Sequence, residues 1–291
     1  MKKKLLAIGL SLAMVFAVTA CGGSGSGNSS SSAPSDASAS AAAEQVSGEL
    51  YVSAAASMTE SLDKVIEKFE KQNPDCKVTP TYDSSGTLET QIIEGSPCDV
   101  FISAAQKQMN ELDGENEACL GDNYVLKGSR VDLLENTAVL VVSDDNKDEI
   151  KSWDDFVKKL ESAQSSEDLI FCMGNSDVPV GAYTSKILQA LGVDESALQG
   201  KGVVTYGTNV KEVTSQVSSG AADCGIIYST DAFSAGMDPV ATADASLAGE
   251  IIYPAAVMEN AENLEAAEAF LDFLQTKDAM KEFTAVGFKE V

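Results

Sequence analysis

From Leu50 onward the chain alternates short apolar runs rich in Val and Ile with longer segments whose apolar positions recur every three or four residues. The strand-like runs are Leu50 to Val52, Cys76 to Pro80, Val100 to Ile102, Ala138 to Val142, Leu169 to Cys172 and Cys224 to Tyr228. Between them, Leu62, Val65, Ile66 and Phe69 are spaced so that all four fall on one helical face. Such alternation predicts a parallel α/β sheet covered by helices. Ligands of open α/β sheets bind beyond the carboxyl ends of strands, where helices begin. The strand-to-helix junctions are therefore the places to look for chemistry.

Five junctions stand out. After the first strand, Ser57 and Glu60 have the spacing of a capping box. In "DSSGTLETQIIEG", Ser84, Ser85 and Gly86 precede a helix carrying Leu88, Ile92 and Ile93. In "NSDVPVGAYTSKILQALG" a Pro-Val-Gly turn opens a helix that Gly192 closes. In "TNVKEVTSQVSSG", Asn209 and Glu212 form a cap-like pair, and in "CGIIYSTDAF" Tyr228 ends an apolar strand. A cap would account for each serine taken alone, and ring packing for the tyrosine. Together, however, several helix starts dressed with Ser, Gly and Tyr offer free N–H donors and positive dipole ends, the makings of an anion site.

The segment ahead of this module changes the setting. Lys2, Lys3 and Lys4 precede an apolar stretch from Leu5 to Val18, the pattern of an export signal and too short to be a dependable membrane span. Residues 22 to 43 are almost entirely Gly, Ser and Ala, a flexible tether that cannot bury a core. About 245 residues of globular composition follow, enough for one large domain or two moderate ones.

Composition then removes whole classes of function. With 20 basic against 45 acidic residues the formal charge is −25, which makes nucleic acid and anionic lipid surfaces poor partners. The chain has no histidine. Ser-His-Asp and Cys-His catalysis, histidine bases and His-containing zinc sites are thereby excluded. Cys76, Cys98, Cys119, Cys172 and Cys224 show no Cys-x-x-Cys spacing and are odd in number, so at least one of them stays unpaired.

Val18-Thr19-Ala20-Cys21 resembles the lipobox of bacterial lipoproteins. This implies a signal peptide over 1–20, a lipid on Cys21 and an anchored linker over 21–45. The module itself resembles the molybdate-binding proteins of ABC transporters, a branch of the class II extracytoplasmic solute receptors. The resemblance runs from "LYVSAAASMTESLDKVIEKFEK" through "YDSSGTLETQIIEGSPCDVFISAAQKQMNEL" and "VPVGAYTSKILQALG" to "GIIYSTDA" and "FTAVGF". It implies a two-lobed α/β fold of the periplasmic-binding-protein kind, each lobe a mostly parallel sheet flanked by helices, with the ligand between them. Lobe I is expected over 46–133 and 255–291, and lobe II over 134–254. Chain crossings are expected near 130–137 and 250–257, so that Phe270, Phe273 and Leu274 return to lobe I.

Carried over residue by residue, the family's oxyanion donors fall on Ser57 and Ser85, on the backbone N–H of Val180 and Val210, and on the Tyr228 hydroxyl. Two departures stand out: Val180 where Ala is common, and Gly86 where a third hydroxyl is common. The second leaves Ser84 or Ser85 open as the ligand. The implied role is that of a non-enzymatic, monomeric binding component on the outer face of the cytoplasmic membrane. It would deliver molybdate, or tungstate, to a permease with its cytoplasmic ATPase, without any cofactor and with molybdenum present only as the bound oxyanion. Sulfate or phosphate is the alternative cargo. An anchored serine hydrolase is a remote alternative, weakened by the missing histidine and the missing Gly-x-Ser-x-Gly elbow. No Asp or Glu is expected to face the ligand beside these donors, with Glu60 and Glu212 pointing away, so the pattern favours a fully deprotonated dianion over phosphate.

Overall fold

The computed structural model describes residues 45–291. The export signal, Cys21 and the tether up to residue 44 lie outside the described residues. Eleven strands are described: β1 Gly48–Ala55, β2 Cys76–Asp83, β3 Val100–Ile102, β4 Val131–Asn136, β5 Ala138–Val142, β6 Phe171–Gly174, β7 Val204–Gly207, β8 Cys224–Tyr228, β9 Ala241–Thr242, β10 Ile251–Val257 and β11 Lys289–Glu290. They form two sheets, a larger one in the order β11-β4-β10-β3-β1-β2 and a smaller one in the order β7-β6-β8-β5-β9.

Both sheets are mixed. β1 runs parallel to β2 and β3, and β6 runs parallel to β7 and β8, as expected of βαβ units. β10 lies antiparallel between β3 and β4, and β5 lies antiparallel between β8 and β9. The antiparallel strands within these two α/β sheets have a topological reason. Parallel neighbours need a long crossover, usually a helix. β5 follows β4 after Thr137 alone, and β10 returns from the smaller sheet, so neither is preceded by a helix crossing its own sheet.

Strands β4 and β10 belong entirely to the larger sheet. Residues 134–136 and 251–254, counted with lobe II in the sequence reading, therefore lie in strands of the larger sheet. β10 also carries Pro254, whose missing N–H argues against a central strand. It is accommodated at a register shift between Tyr253 and Pro254.

The helical face foreseen from Leu62 to Phe69 forms in the helix Thr59–Gln72, where Leu62, Val65, Ile66 and Phe69 are all buried. Phe69 meets Phe270 edge-on at 5.0 Å and Phe273 at 5.5 Å, an aromatic contact worth about 0.5–1.5 kcal/mol beyond burial. The helix Leu264–Leu274, next to last in the chain, thus packs on the helix Thr59–Gln72 that follows β1. A separate apolar cluster of Leu88, Ile92, Phe101, Met109, Leu112, Val125, Ala256 and Met258 supports the helix Ser85–Ile93. The five cysteines of the module are free thiols, and Cys76, Cys172 and Cys224 are buried. No helix among the described residues is long and apolar enough to cross a membrane.

Candidate functional site

The carboxyl ends of β1, β2, β6, β7 and β8 open towards one cavity between the sheets. Ser57, Ser84, Ser85, Val180, Val210 and Tyr228 all line it, so the structure brings every candidate anion-binding residue of the five junctions to one place. The volume open to the centre of a water-sized sphere is about 10 Å³. That is the scale of a single small group rather than of an organic metabolite.

The larger sheet supplies hydroxyls. β1 leads into a short 3₁₀ turn, Ala56–Met58, before the helix Thr59–Gln72, and Met58 rather than Ser57 occupies the N-cap. The capping-box reading of Ser57 is therefore corrected: its Oγ lies 2.8 Å from the Tyr253 hydroxyl. At the second junction the two serines divide the work. Ser84 is the N-cap, its Oγ accepting from the Thr87 N–H at 3.2 Å, while Ser85 Oγ accepts from the Ala104 N–H at 2.9 Å. With its oxygen so engaged, the Ser85 hydroxyl proton is free to donate into the cavity.

The smaller sheet supplies backbone donors. Val180 is the second residue of the helix Pro179–Ala190, and Val210 is the first of the helix Val210–Ser218. Amides at these positions have no intrahelical acceptor, and neither has a partner among the described residues. Asn209 caps the second helix through the Glu212 N–H. Gly181 permits the first helix to seat on β6, because a Cβ there would come within 2.2 Å of the Asn175 carbonyl oxygen.

Tyr228 ends β8. Its ring packs edge-on to Tyr183 at 6.5 Å and Tyr253 at 5.8 Å, as ring packing alone would have it. Its hydroxyl, however, is buried and without a hydrogen-bond partner. Burial pushes its pKa well above the ordinary tyrosine value, so it remains a protonated donor.

Three contacts bridge the sheets around this cavity. The Lys211 ammonium donates to both Glu60 carboxylate oxygens at 2.7 Å and lies 3.2 Å from Asp231. Burial raises the pKa of Asp231 to about 6, against the opposing pull of Lys211. Asn209 Nδ2 donates to Asp83 at 3.3 Å. At the third contact, a Cβ on Gly86 would stand 2.2 Å from the Asp177 carbonyl oxygen. The family's third hydroxyl is missing here, and the close approach of the facing chain leaves no room for it.

Asp83 also lines the cavity, which corrects the expectation that no carboxylate adjoins the donors. Its Oδ1 is engaged by the Ser84 N–H at 2.7 Å as well as by Asn209. Glu60 is turned to Lys211, and Glu212 to the N–H and hydroxyl of Thr208, so both do face away. Sequence reasoning missed Asp83, Tyr253, Asn136 and Lys211. Only Asp83 had a visible signal, since it immediately precedes Ser84. Among the described residues no cluster of carboxylates or thiols gathers that could hold a metal ion.

Two mixed sheets flanked by helices, joined by crossing strands around a small donor-lined cleft, define a solute-binding protein. Over residues 50–289 the chain matches the bacterial extracellular solute-binding proteins, and it belongs to that family, whose members bind solutes rather than transform them. It is 31% identical to a provisionally named ABC transporter substrate-binding lipoprotein, YvgL of Bacillus subtilis, over 82% of this chain and 85% of that protein. It is likewise 31% identical to the molybdate-binding protein ModA of Haemophilus influenzae, over 83% of this chain and 90% of that one. Among solved structures, the substrate-binding domain of a provisionally assigned molybdenum ABC transporter from Clostridium difficile shares 33% identity. It superposes with a TM-score of 0.60, covering 84% of this chain and 99% of that one.

Proposed function

We propose that this chain is the extracytoplasmic binding component of an ABC importer, capturing molybdate, with tungstate as an equivalent cargo, and delivering it to a permease and its cytoplasmic ATPase. The observation that carries the reading is the Tyr228 hydroxyl, buried and unpartnered on the wall of a cavity. A buried polar group without a partner costs roughly 1–3 kcal/mol, and a tetrahedral anion offers it an acceptor. Hydrogen bonds to a charged group contribute roughly 1.5–3 kcal/mol each. Five such donors, from Ser57, Ser85, Val180, Val210 and Tyr228, supply roughly 7.5–15 kcal/mol before desolvation, which spans the roughly 8–12 kcal/mol of micromolar to nanomolar binding.

In this reading residues 45–136 and 251–291 act as one lobe and 138–250 as the other, closing on the anion. A lipid on Cys21 holds the monomeric module at the outer face of the cytoplasmic membrane. The likeness to the molybdate-binding ModA and to the 33% identical binding domain of a molybdenum transporter supports the cargo, and the likeness to the lipoprotein YvgL supports the anchor.

One observation favours a second reading. Asp83 in the cavity wall is an acceptor that a protonated oxyanion such as phosphate could use. Calorimetric titration at pH 7 with molybdate, tungstate, sulfate and phosphate decides between them. Micromolar or tighter molybdate binding, with phosphate failing to compete at a hundredfold excess, is expected. Phosphate binding of equal strength transfers the assignment to the second reading. Tyr228→Phe should weaken molybdate binding about tenfold or more while raising the melting temperature of the ligand-free protein, since it deletes an unpartnered buried hydroxyl. Unchanged affinity in that variant sinks the proposed site.

A further inference from the structure

The Ser57 hydroxyl is held from behind by a residue that no junction contains. Tyr253, on β10, is fully buried, and its Oη lies 2.8 Å from Ser57 Oγ. The same oxygen accepts from Asn136 Nδ2 at 3.1 Å. The direction of the Asn136 amide is set by the backbone, because the Thr137 N–H can only donate and reaches Asn136 Oδ1 at 2.8 Å. Asn136 Oδ1 also accepts from the Ser229 hydroxyl at 3.1 Å. Its Nδ2 must therefore face Tyr253 as a donor.

The phenolic proton of Tyr253 then has Ser57 Oγ as its acceptor among the described residues. A serine oxygen that accepts one hydrogen bond keeps its own proton to give. We infer that Tyr253 is a positioning residue for anion binding, relaying the orientation fixed at Asn136 so that the Ser57 proton points into the cavity. The relay mirrors the second serine, whose oxygen is occupied by the Ala104 N–H. It differs in its origin. Asn136 ends β4, one residue before β5 begins in the other sheet, and Ser229 and Thr230, which also bond Asn136, follow Tyr228. The donor's orientation is thus tied to the junction between the lobes, and an opening that shifted this junction would also misalign the Ser57 proton.

The inference rests on the reading that Ser57 donates to the anion, and the test separates the two. Tyr253→Phe keeps the ring that packs edge-on to Tyr228 at 5.8 Å and Phe288 at 5.2 Å and removes only the hydroxyl. Molybdate affinity is measured by calorimetry in wild type, Tyr253→Phe, Ser57→Ala and the double variant, with the ligand-free melting of each as a folding check. The expected result is about a tenfold loss for Tyr253→Phe and no further loss when it is added to Ser57→Ala. Asn136→Ala, carried through the same two backgrounds, should show a smaller loss that also vanishes with Ser57→Ala, and it serves if Tyr253→Phe does not fold.

Undiminished affinity in Tyr253→Phe, or an equal loss in both backgrounds, overturns the relay while leaving Ser57 a donor. Wild-type affinity in Ser57→Ala, or no molybdate binding by the wild-type protein, removes the donor reading itself and the relay with it.

Discussion

The two sides of the cavity present proposed donors of different kinds. The larger sheet offers side-chain hydroxyls, each engaged from behind: Ser85 by the Ala104 N–H and Ser57 by a 2.8 Å contact with the Tyr253 hydroxyl. The smaller sheet offers the first-turn amides of two helices, at Val180 and Val210, with one phenol at Tyr228. A backbone donor is insensitive to the identity of its side chain and is aimed by the helix that carries it. A hydroxyl rotates, so it needs a second residue to aim it. One side of the site is thus robust to substitution, and the other depends on a supporting shell.

The sharpest test of this difference is at Val210. It is the first residue of its helix, where proline is tolerated, and Asn209 before it is already extended at φ −155° and ψ 172°. Val210→Pro should delete one N–H with little disturbance and weaken anion binding about ten- to a hundredfold, the worth of a hydrogen bond to a charge. Val210→Ala, measured beside it by calorimetry, should bind as wild type. Equal losses in both would mean that the side chain, and not the amide, touches the ligand.

Closure of the two sides comes next. A methyl at Gly86 would collide with the Asp177 carbonyl of the facing chain, and overpacking of this kind costs about 1–3 kcal/mol. Gly86→Ala should weaken anion affinity about tenfold while leaving the ligand-free melting temperature nearly unchanged, because an open form escapes the clash. A fall in ligand-free stability without loss of affinity would show that Gly86 serves the helix and not the closure.

A smaller effect separates the neighbouring serines. Ser84→Ala removes a cap and should lower stability by roughly 1 kcal/mol with affinity retained, while Ser85→Ala should lower affinity. The reverse outcome, read by paired melting and titration, would exchange their roles. The smallest effect is expected at Glu60, whose pair with Lys211 bridges the lobes at a partly exposed position. Glu60→Gln should change affinity less than about fivefold, within the roughly 1 kcal/mol of exposed ion pairs. The change should shrink further as salt is raised. A larger, salt-independent loss would make this pair a structural part of the site.

Much of the site could be read from the chain because it is local. A strand end followed by Ser, Gly or Pro and a helical period marks a junction within about ten residues, and the proposed donors at Ser57, Ser85, Val180, Val210 and Tyr228 all lie at such points. Two of the strands that went unread, β4 and β10, lacked that local contrast. β4, in "VDLLEN", has charges at its second and fifth positions, and β10, in "IIYPAAV", contains a proline. Both were expected as crossing segments, and both turned out to be strands, paired with one another in the larger sheet.

The chain by itself determined, to within a turn, where the helices at the five junctions start, which face of the first is apolar, and that histidine-dependent catalysis is unavailable, because those properties follow from residue identity and short-range spacing. Tertiary structure alone decided what faces each junction. Ser57 meets Tyr253 across 196 residues of sequence, Lys211 meets Glu60 across 151, and Asn209 meets Asp83 across 126. No periodicity or propensity encodes such a pairing. It arises only when two sheets, each folded on its own apolar faces, are brought together by the crossing strands β4 and β10, and the packing of the whole then fixes which polar atoms are left facing the cleft.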